Sequence, residues 1–385
     1  MATVRRPEGD FTSTLMVGST QHHVASEDSQ ASGGKVENSA RAPATGVPRR
    51  RVSAVDVAER AGVSRSAVSM VLNGRADGNV SAEAQERVRE AAAELRYVPQ
   101  GLGQSLRSRT TRTVGIITDE IVTSPFAGGL ISGVGEVARS QGFMTIVNDT
   151  EGHQSRLEEA CELFFARSVD ALILATGGLL ELEPPEAVGA FPTVLANCFD
   201  PARTIPSVIP DEVGGSFQAV DHLVGFGHQD IVLLTGTEDS PATPLRREGF
   251  LQATRAQGSI GTTRPCGWEI HEGYSAAADL FDSGEPPTAV IASNDRTAVG
   301  VLLAAAHRGL RVPEDISVVG VDDQPHVAGT VVPALTTVAL PHREIGLRAM
   351  EILLETVGRG AAAPVVERLP SRLIARASSG PAATT

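Results

Sequence analysis

The chain has no apolar run approaching the roughly 18 residues that a membrane-spanning helix requires. It also has no apolar core behind the arginine pair at residues 5 and 6. Neither a membrane span nor a secretory signal is therefore expected, and the expected compartment is the cytoplasm. Cysteine is scarce. Only Cys161, Cys198 and Cys266 are present, and an odd, scattered set without ligand spacing argues against a disulfide framework or a zinc site. Catalytic signatures are missing too. There is no GxSxG, and the glycines of "GGLISGVGEVA" (Gly128, Gly129, Gly133, Gly135) do not give GxGxxG or directly follow a strand. The nine histidines are dispersed, with His222 and His228 placed where a helix end would pack. An enzyme is not expected, and neither is a metal or a cofactor.

Positive charge is in short supply over the whole chain, with a formal net charge of -13. That sum hides an asymmetry. Residues 51–112 carry ten basic and seven acidic side chains, whereas residues 113–385 carry 17 basic and 34 acidic ones. A small basic module on a large acidic body fits a local contact with a polyanion, the body being repelled from phosphates. With 385 residues and 41% hydrophobic content, the chain has material for two or three domains with sizeable cores.

Residues 1–50 are rich in Ser, Thr, Gly and Ala, lack apolar periodicity and are expected to be a disordered tail. Three helical signals follow within 51–98. The first has Ser53 as N-cap with Asp56 three residues on, an inward face of Val57, Ala58 and Ala61, and Gly62 as its left-handed end. The second starts after Ser64, turns Val68, Val71 and Leu72 inward and ends at Gly74. The third starts at Ser81 and buries Val88, Ala92 and Leu95. Residues 99–112 form a polar, basic connection. Beyond Thr113 seven apolar strands alternate with helix-length segments: "VGIIT", "MTIVN", "DALILA", "TVLAN", "DIVLLTG", "TAVIAS" and "SVVGV". Such runs predict parallel strands covered on both faces, in one large sheet or two smaller ones.

Two short helices joined by "AGVS" match the helix-turn-helix arrangement, in which the second helix enters the major groove. A small surface hairpin is the alternative. With the apolar positions turned inward, Arg65, Ser66, Ser69, Met70 and Asn73 lie outward or at the margin. Short hydroxyls and amides permit close approach to phosphates or bases, and an arginine can pair with guanine. The sequences "DVAERAGVSRSAVSMVLNG" and "VSAEAQERVREAAAELRYVPQ" resemble the headpiece of the lactose repressor (LacI) family of transcription factors. The resemblance continues through "DHLVGFGHQDIVLLTG", "RREGF", "ASNDRTAVG", "VPEDISVVGVDD" and "PALTTVALP" to about Ser378.

The resemblance implies an all-α helix-turn-helix headpiece followed by a periplasmic-binding-protein-like α/β core of two doubly wound lobes. The core spans 113–378, with lobe one at about 113–209 plus 341–368 and lobe two at about 210–340. It assigns DNA contacts to Ser64, Arg65, Ser66, Ser69, Met70, Asn73 and Tyr97, and to Gln104 and Leu106 of a hinge helix within 99–112. It also implies that Leu106 is the wedge that enters the minor groove. Met70 replaces an arginine common at that position; it either offers an apolar contact to a thymine methyl or packs against its own helix. Gly101 and Gly103 fall in the hinge, each disfavouring helix by roughly 0.8–1 kcal/mol. Effector contacts are implied at Phe126, Asn197, Arg246, Trp268, Asn294, Asp295 and Asp322. The implied partners are double-stranded operator DNA, a small-molecule effector of sugar type and a second copy of the chain, and no membrane. The implied function is repression of carbohydrate-uptake or catabolism genes through a palindromic operator. A corepressor-dependent regulator, or an activator with a non-sugar effector, is the alternative, with a transporter's solute-binding protein behind it.

Overall fold

The computed structural model describes residues 52–97, 110–120, 127–284, 286–359 and 365–383. They fall into two compact units, divided between residues 99 and 100.

In the first unit three helices, α1 (Ala54–Ala61), α2 (Arg65–Leu72) and α3 (Ala82–Glu94), close around a small aliphatic core. Their ends follow from the capping chemistry. The Ser53 hydroxyl accepts from the Asp56 N–H at 3.4 Å, while the Asp56 carboxylate accepts from the Ser53 N–H at 2.6 Å, so two end donors of α1 are satisfied reciprocally. Gly62, with φ of 66°, reverses the chain there, and its N–H meets the carbonyls of the last turn. Ser64 and Ser81 cap α2 and α3 through Ala67 N–H and Ala84 N–H. Val57, Ala61, Val68, Val71, Val88 and Ala92 form the buried centre, and Ala76 enters it from the loop between α2 and α3. Leu72, Leu95 and Tyr97 are half-buried at its margin.

The second unit contains two six-stranded sheets. The first comprises β1 (Thr113–Thr118), β2 (Met144–Asp149), β3 (Ala171–Glu181), β4 (Thr193–Phe199), β5 (Ser207–Asp211) and β11 (Val366–Pro370), in the order β11-β5-β4-β3-β1-β2 and entirely parallel. The second comprises β6 (Asp230–Thr235), β7 (Ile260–Pro265), β8 (Ala289–Ile291), β9 (Ser317–Asp322), β10 (Thr336–Ala339) and β12 (Arg372–Ile374), in the order β12-β10-β9-β8-β6-β7. Only β12 runs antiparallel. The chain thus passes between sheets after Asp211, again before residue 342, and again between Pro370 and Arg372.

Helices cover both faces of each sheet, as buried parallel strands require. On the first sheet, α4 (Ala127–Ser140) and α10 (His342–Arg359) pack one face and α5 (Gln154–Ala166) the other. On the second, α6 (Glu212–Gly225) and α7 (Ala242–Gln257) oppose α8 (Ile270–Phe281) and α9 (Asp295–His307). The α4–α10 crossing is unusually close because glycines meet there. A Cβ on Gly133 would fall 2.2 Å from the Arg343 carbonyl oxygen, and one on Gly346 would fall 2.0 Å from that of Leu130.

The described residues hold twelve strands where seven were expected. The five additional ones, β5, β7, β10, β11 and β12, are short, polar or proline-bearing and lie toward sheet edges. His222 and His228 do more than pack a helix end. His222 bonds the Ser379 hydroxyl at 2.8 Å, and buried His228 bonds Thr288, Ser317 and the Gly380 carbonyl, pinning the C-terminal segment to the second sheet.

Candidate functional site

Along α2 the predicted outward residues form a hydroxyl-rich strip. Arg65, Ser66, Ser69 and Asn73 are exposed, and Arg65 forms no ion pair among the described residues. Ser64 and Ser66 share a hydroxyl hydrogen bond of 2.8 Å. The Asn73 amide donates to the Ser69 carbonyl at 2.6 Å and the Ser69 hydroxyl at 3.3 Å, so these two side chains are organised as a pair at the helix end. Met70 is half-buried at the edge of the strip, between the two readings offered above. Tyr97 packs against the headpiece core. Gln104 and Leu106 lie outside the described residues, as does Phe126.

In each sheet of the second unit, successive strands are added first to one side and then to the other. The switch falls between β1 and β3 in the first sheet and between β6 and β8 in the second. Ligands of open α/β sheets bind at such switch points, beyond the carboxyl ends of the strands. A cavity of about 350 Å³ occupies that place, walled by residues of both lobes. Lobe one contributes Asp119 after β1, Gly177 and Gly178 within β3, Asn197 in β4, and His342. Lobe two contributes Glu212, Arg246, Trp268, Asn294 and Asp322, with Arg296 beside them.

Arg246 organises the second lobe's wall. Its Nε donates to Glu212 at 2.7 Å and its Nη2 to the other Glu212 oxygen at 3.0 Å, while Nη1 donates to the Ser293 carbonyl at 2.5 Å. Asp322 lies 3.9 Å from Nη2, and the guanidinium stands 5.6 Å from the Trp268 ring. Burial disfavours the guanidinium charge, but Glu212 and the other nearby carboxylates outweigh it, and the Arg246 pKa is raised. Burial pushes Asp322 well up, with Arg246 opposing. Asp322 has φ of 114°, a strained value for a side-chain-bearing residue at the end of a strand. The resemblance implied an effector contact at Arg246; in the structure its fork is engaged by Glu212.

Trp268 is both wall and core. Its Nε1–H donates to the Thr237 hydroxyl at 2.9 Å and its carbonyl accepts from the Asn294 amide at 3.0 Å. The ring lies so close over Gly236 that a Cβ there would sit 2.0 Å from it. The same ring packs against Leu179, Phe199, Ile209 and Ala242, an apolar cluster drawn from both lobes.

Asn197 is 1% exposed and has φ of 60°, the left-handed region that asparagine tolerates better than most residues. Its amide donates to the Thr176 and Gly177 carbonyls, leaving Oδ1 without a partner. Opposite, Asp119 accepts from the Gly177 N–H at 2.9 Å, and burial raises its pKa. His342 is lowered to about 4 by burial and by the Arg246 charge, so it is neutral near pH 7.

Asp295 is not brought to the cavity. It is fully buried behind the wall, accepting from the Thr337 hydroxyl and the Gln324 N–H, both at 2.6 Å, and burial pushes its carboxyl up to about 6. It ties the start of α9 to the loop after β9 and to β10. Sequence reasoning missed Asp119, Glu120, Glu212, Arg296 and His342. Asp119 and Glu120 directly follow a strand, as Asp322 closes one, and that shared position was the available signal. Glu212 is 34 residues from Arg246 and gave none.

Residues 55–100 match the family model for bacterial regulatory proteins, lacI family, and residues 220–379 that for a periplasmic binding protein-like domain. The chain is 33% identical over 305 residues to the HTH-type transcriptional repressor CytR of Escherichia coli (strain K12), covering 78% of this chain and 88% of that one. Identity to the ribose operon repressor of the same organism is 33% over 314 residues, covering 78% and 92%. The solved structure of the lac repressor dimer bound to operator and the anti-inducer ONPF matches with a TM-score of 0.73 at 28% identity, covering 86% of this chain and 100% of that one. These relatives are transcriptional regulators and not enzymes. With its helix-turn-helix headpiece and two-lobed α/β core, the chain belongs to the lacI family of bacterial regulatory proteins.

Proposed function

We propose that two copies of this chain bind an inverted-repeat operator in the cytoplasm, each inserting α2 into a major groove, and repress the adjacent genes until a small polar effector of sugar class occupies the interlobe cavity. One observation carries this reading. The cavity wall is shared by both lobes, so a ligand that contacts both has a different affinity for each lobe arrangement, and only such a difference shifts a conformational equilibrium. Two structural relatives, a lac repressor dimer bound to operator and a CelR–cellobiose complex, support the same assembly and ligand class. Residues 51–98 read the DNA, 99–112 connect, and 113–378 bind effector and partner. Asn197, Arg246, Trp268, Asn294 and Asp322 hold the ligand, with Asp295 supporting them from behind. Carbohydrate-uptake or catabolism genes are the targets.

The test is selection of bound duplexes from a random library by the full chain, with and without a panel of sugars. An inverted repeat is expected, released by at least one sugar. Recovery of no inverted repeat contradicts the reading, and tighter binding with sugar reverses the sign of the coupling to corepression.

A further inference from the structure

The arginines of the headpiece divide into two groups. Arg60 lies 2.7 Å from Glu94, Arg87 3.3 Å from Glu83 and Arg89 3.0 Å from Glu86. All three pairs draw on glutamates of α3, so the charge of these arginines is matched within the headpiece. Arg65, Arg75 and Arg96 are exposed and form no ion pair among the described residues. Arg65 opens α2, Arg75 stands three residues past its end at Leu72, and Arg96 follows α3. Between Glu59 and Asp77 the sequence has no carboxylate. The ionisable groups of α2 and its two flanks are therefore of one sign.

Of the three, Arg75 is tied to the far end of α2. Gly74 takes the left-handed conformation there, with φ of 65°. Its N–H donates to the Val71 carbonyl at 3.2 Å, and the Arg75 N–H donates to that of Met70 at 2.9 Å. These are the two bonds of a Schellman motif, which fixes the residue after the glycine relative to the last helical turn. Ala76 then enters the headpiece core at 4% exposure. The Arg75 backbone is thus anchored on both sides, while its side chain stays in solvent two residues beyond Asn73, where the exposed strip ends. In helix-turn-helix docking the N-terminal residues of the second helix meet the base edges. A charge past the other end, roughly 12 Å further along, lies at the phosphate rim of a groove about 12 Å wide.

We propose that Arg75 binds a phosphodiester group of duplex DNA, one per protomer, and holds the C-terminal end of α2 against the backbone without reading a base. The inference rests on α2 being the DNA-reading helix. A guanidinium with no carboxylate at hand meets the phosphate without first breaking an ion pair, and each phosphate neutralised frees condensed counterions, which sets the salt dependence of binding. Such contacts fix register and orientation and carry no sequence information directly.

The full chain is titrated against two duplexes of about 30 base pairs, one of mixed sequence and one recovered by selection from the random library, over a series of potassium chloride concentrations. Arg75→Gln should lower the slope of log affinity against log salt by about 0.9 per protomer on both duplexes, which at about 0.1 M salt is a loss of about eightfold per protomer. Arg75→Lys should restore the slope, because a point charge suffices for a phosphate. Arg89→Gln, which removes an arginine already matched by Glu86, should keep the parental slope. Base preference, read by sequencing selected duplexes, should be the same for Arg75→Gln as for the parent. A parental slope in Arg75→Gln overturns the proposal while leaving α2 as the reading helix. A change of preference at a single base pair also overturns it, since Arg75 would then be a reader. A parent chain that binds neither duplex with any salt dependence overturns both.

Discussion

Removing the guanidinium of Arg246 should expose how the cavity wall is held together. Glu212 has a side chain only 2% exposed, and Arg246 is its forked partner at 2.7 and 3.0 Å. In Arg246→Ala the glutamate is left as an uncompensated buried charge, a change that costs about 3–5 kcal/mol. For a domain of this size each kcal/mol lowers Tm by roughly 2–4 °C, so a fall of roughly 6–20 °C is expected. Replacing both partners with apolar residues of similar volume removes the stranded charge. Arg246→Met with Glu212→Leu should therefore regain most of the loss, to within about 1–2 kcal/mol of the parent, less the bond to Ser293. Urea denaturation followed by far-ultraviolet circular dichroism reads Arg246→Ala and the four corners of the cycle (parent, Arg246→Met, Glu212→Leu and the double variant) without relying on Trp268, which sits in the site itself. A cost below about 1 kcal/mol for Arg246→Ala, or a double variant less stable than either single one, refutes the reasoning.

Three further outcomes are expected. Met70→Arg should change base preference at one operator position and leave the others unaltered, as read by selected-site sequencing; a uniform change across the site would place Met70 in helix packing instead. Gly103→Ala in the connecting segment should strengthen operator binding by about fivefold per protomer, because alanine favours helix there by about 1 kcal/mol, and a gel-shift titration checks it. His342 is held down to about 4 in the folded chain against an ordinary 6.5. Its neutral form thus contributes stability that is complete above pH 6.5 and is lost as pH falls toward 4. The worth of that shift is about 3 kcal/mol, and His342→Gln should flatten the stability profile by up to that amount across the window.

The headpiece was legible because its signals are local. Caps at Ser53, Ser64 and Ser81, a left-handed glycine at residue 62 and the apolar spacing of Val57, Val68, Val71 and Val88 all act within a few residues. The central strands were legible for a related reason: β1, β4 and β8 are buried on both faces and read as unbroken apolar runs. The edge strands were not. β7, "IGTTRP", alternates half-buried and exposed residues, and β11, "VERLP", carries two charges and a proline. Their pairing comes from the neighbouring strand and not from their own composition.

The site divides along the same line. Asn197, Asn294 and Asp322 sit at or beside strand ends that the pattern revealed, whereas Trp268 follows the unrevealed edge strand β7 and Glu212 and His342 reach the cavity through tertiary packing of α6 and α10. Asp295 illustrates the reverse error. Its neighbour Asn294 faces the cavity, but helical geometry turns the next side chain toward Thr337 and Gln324.

The central claim is that base reading and cavity occupancy are linked in one chain, and a thermodynamic cycle tests it most directly. Operator affinity is measured with and without a ligand that quenches Trp268, and ligand affinity is measured by that quenching with and without operator. Linkage requires the same factor from both sides, in the range of about 5–150-fold. Saturable quenching of Trp268 with operator affinity unchanged would contradict the account.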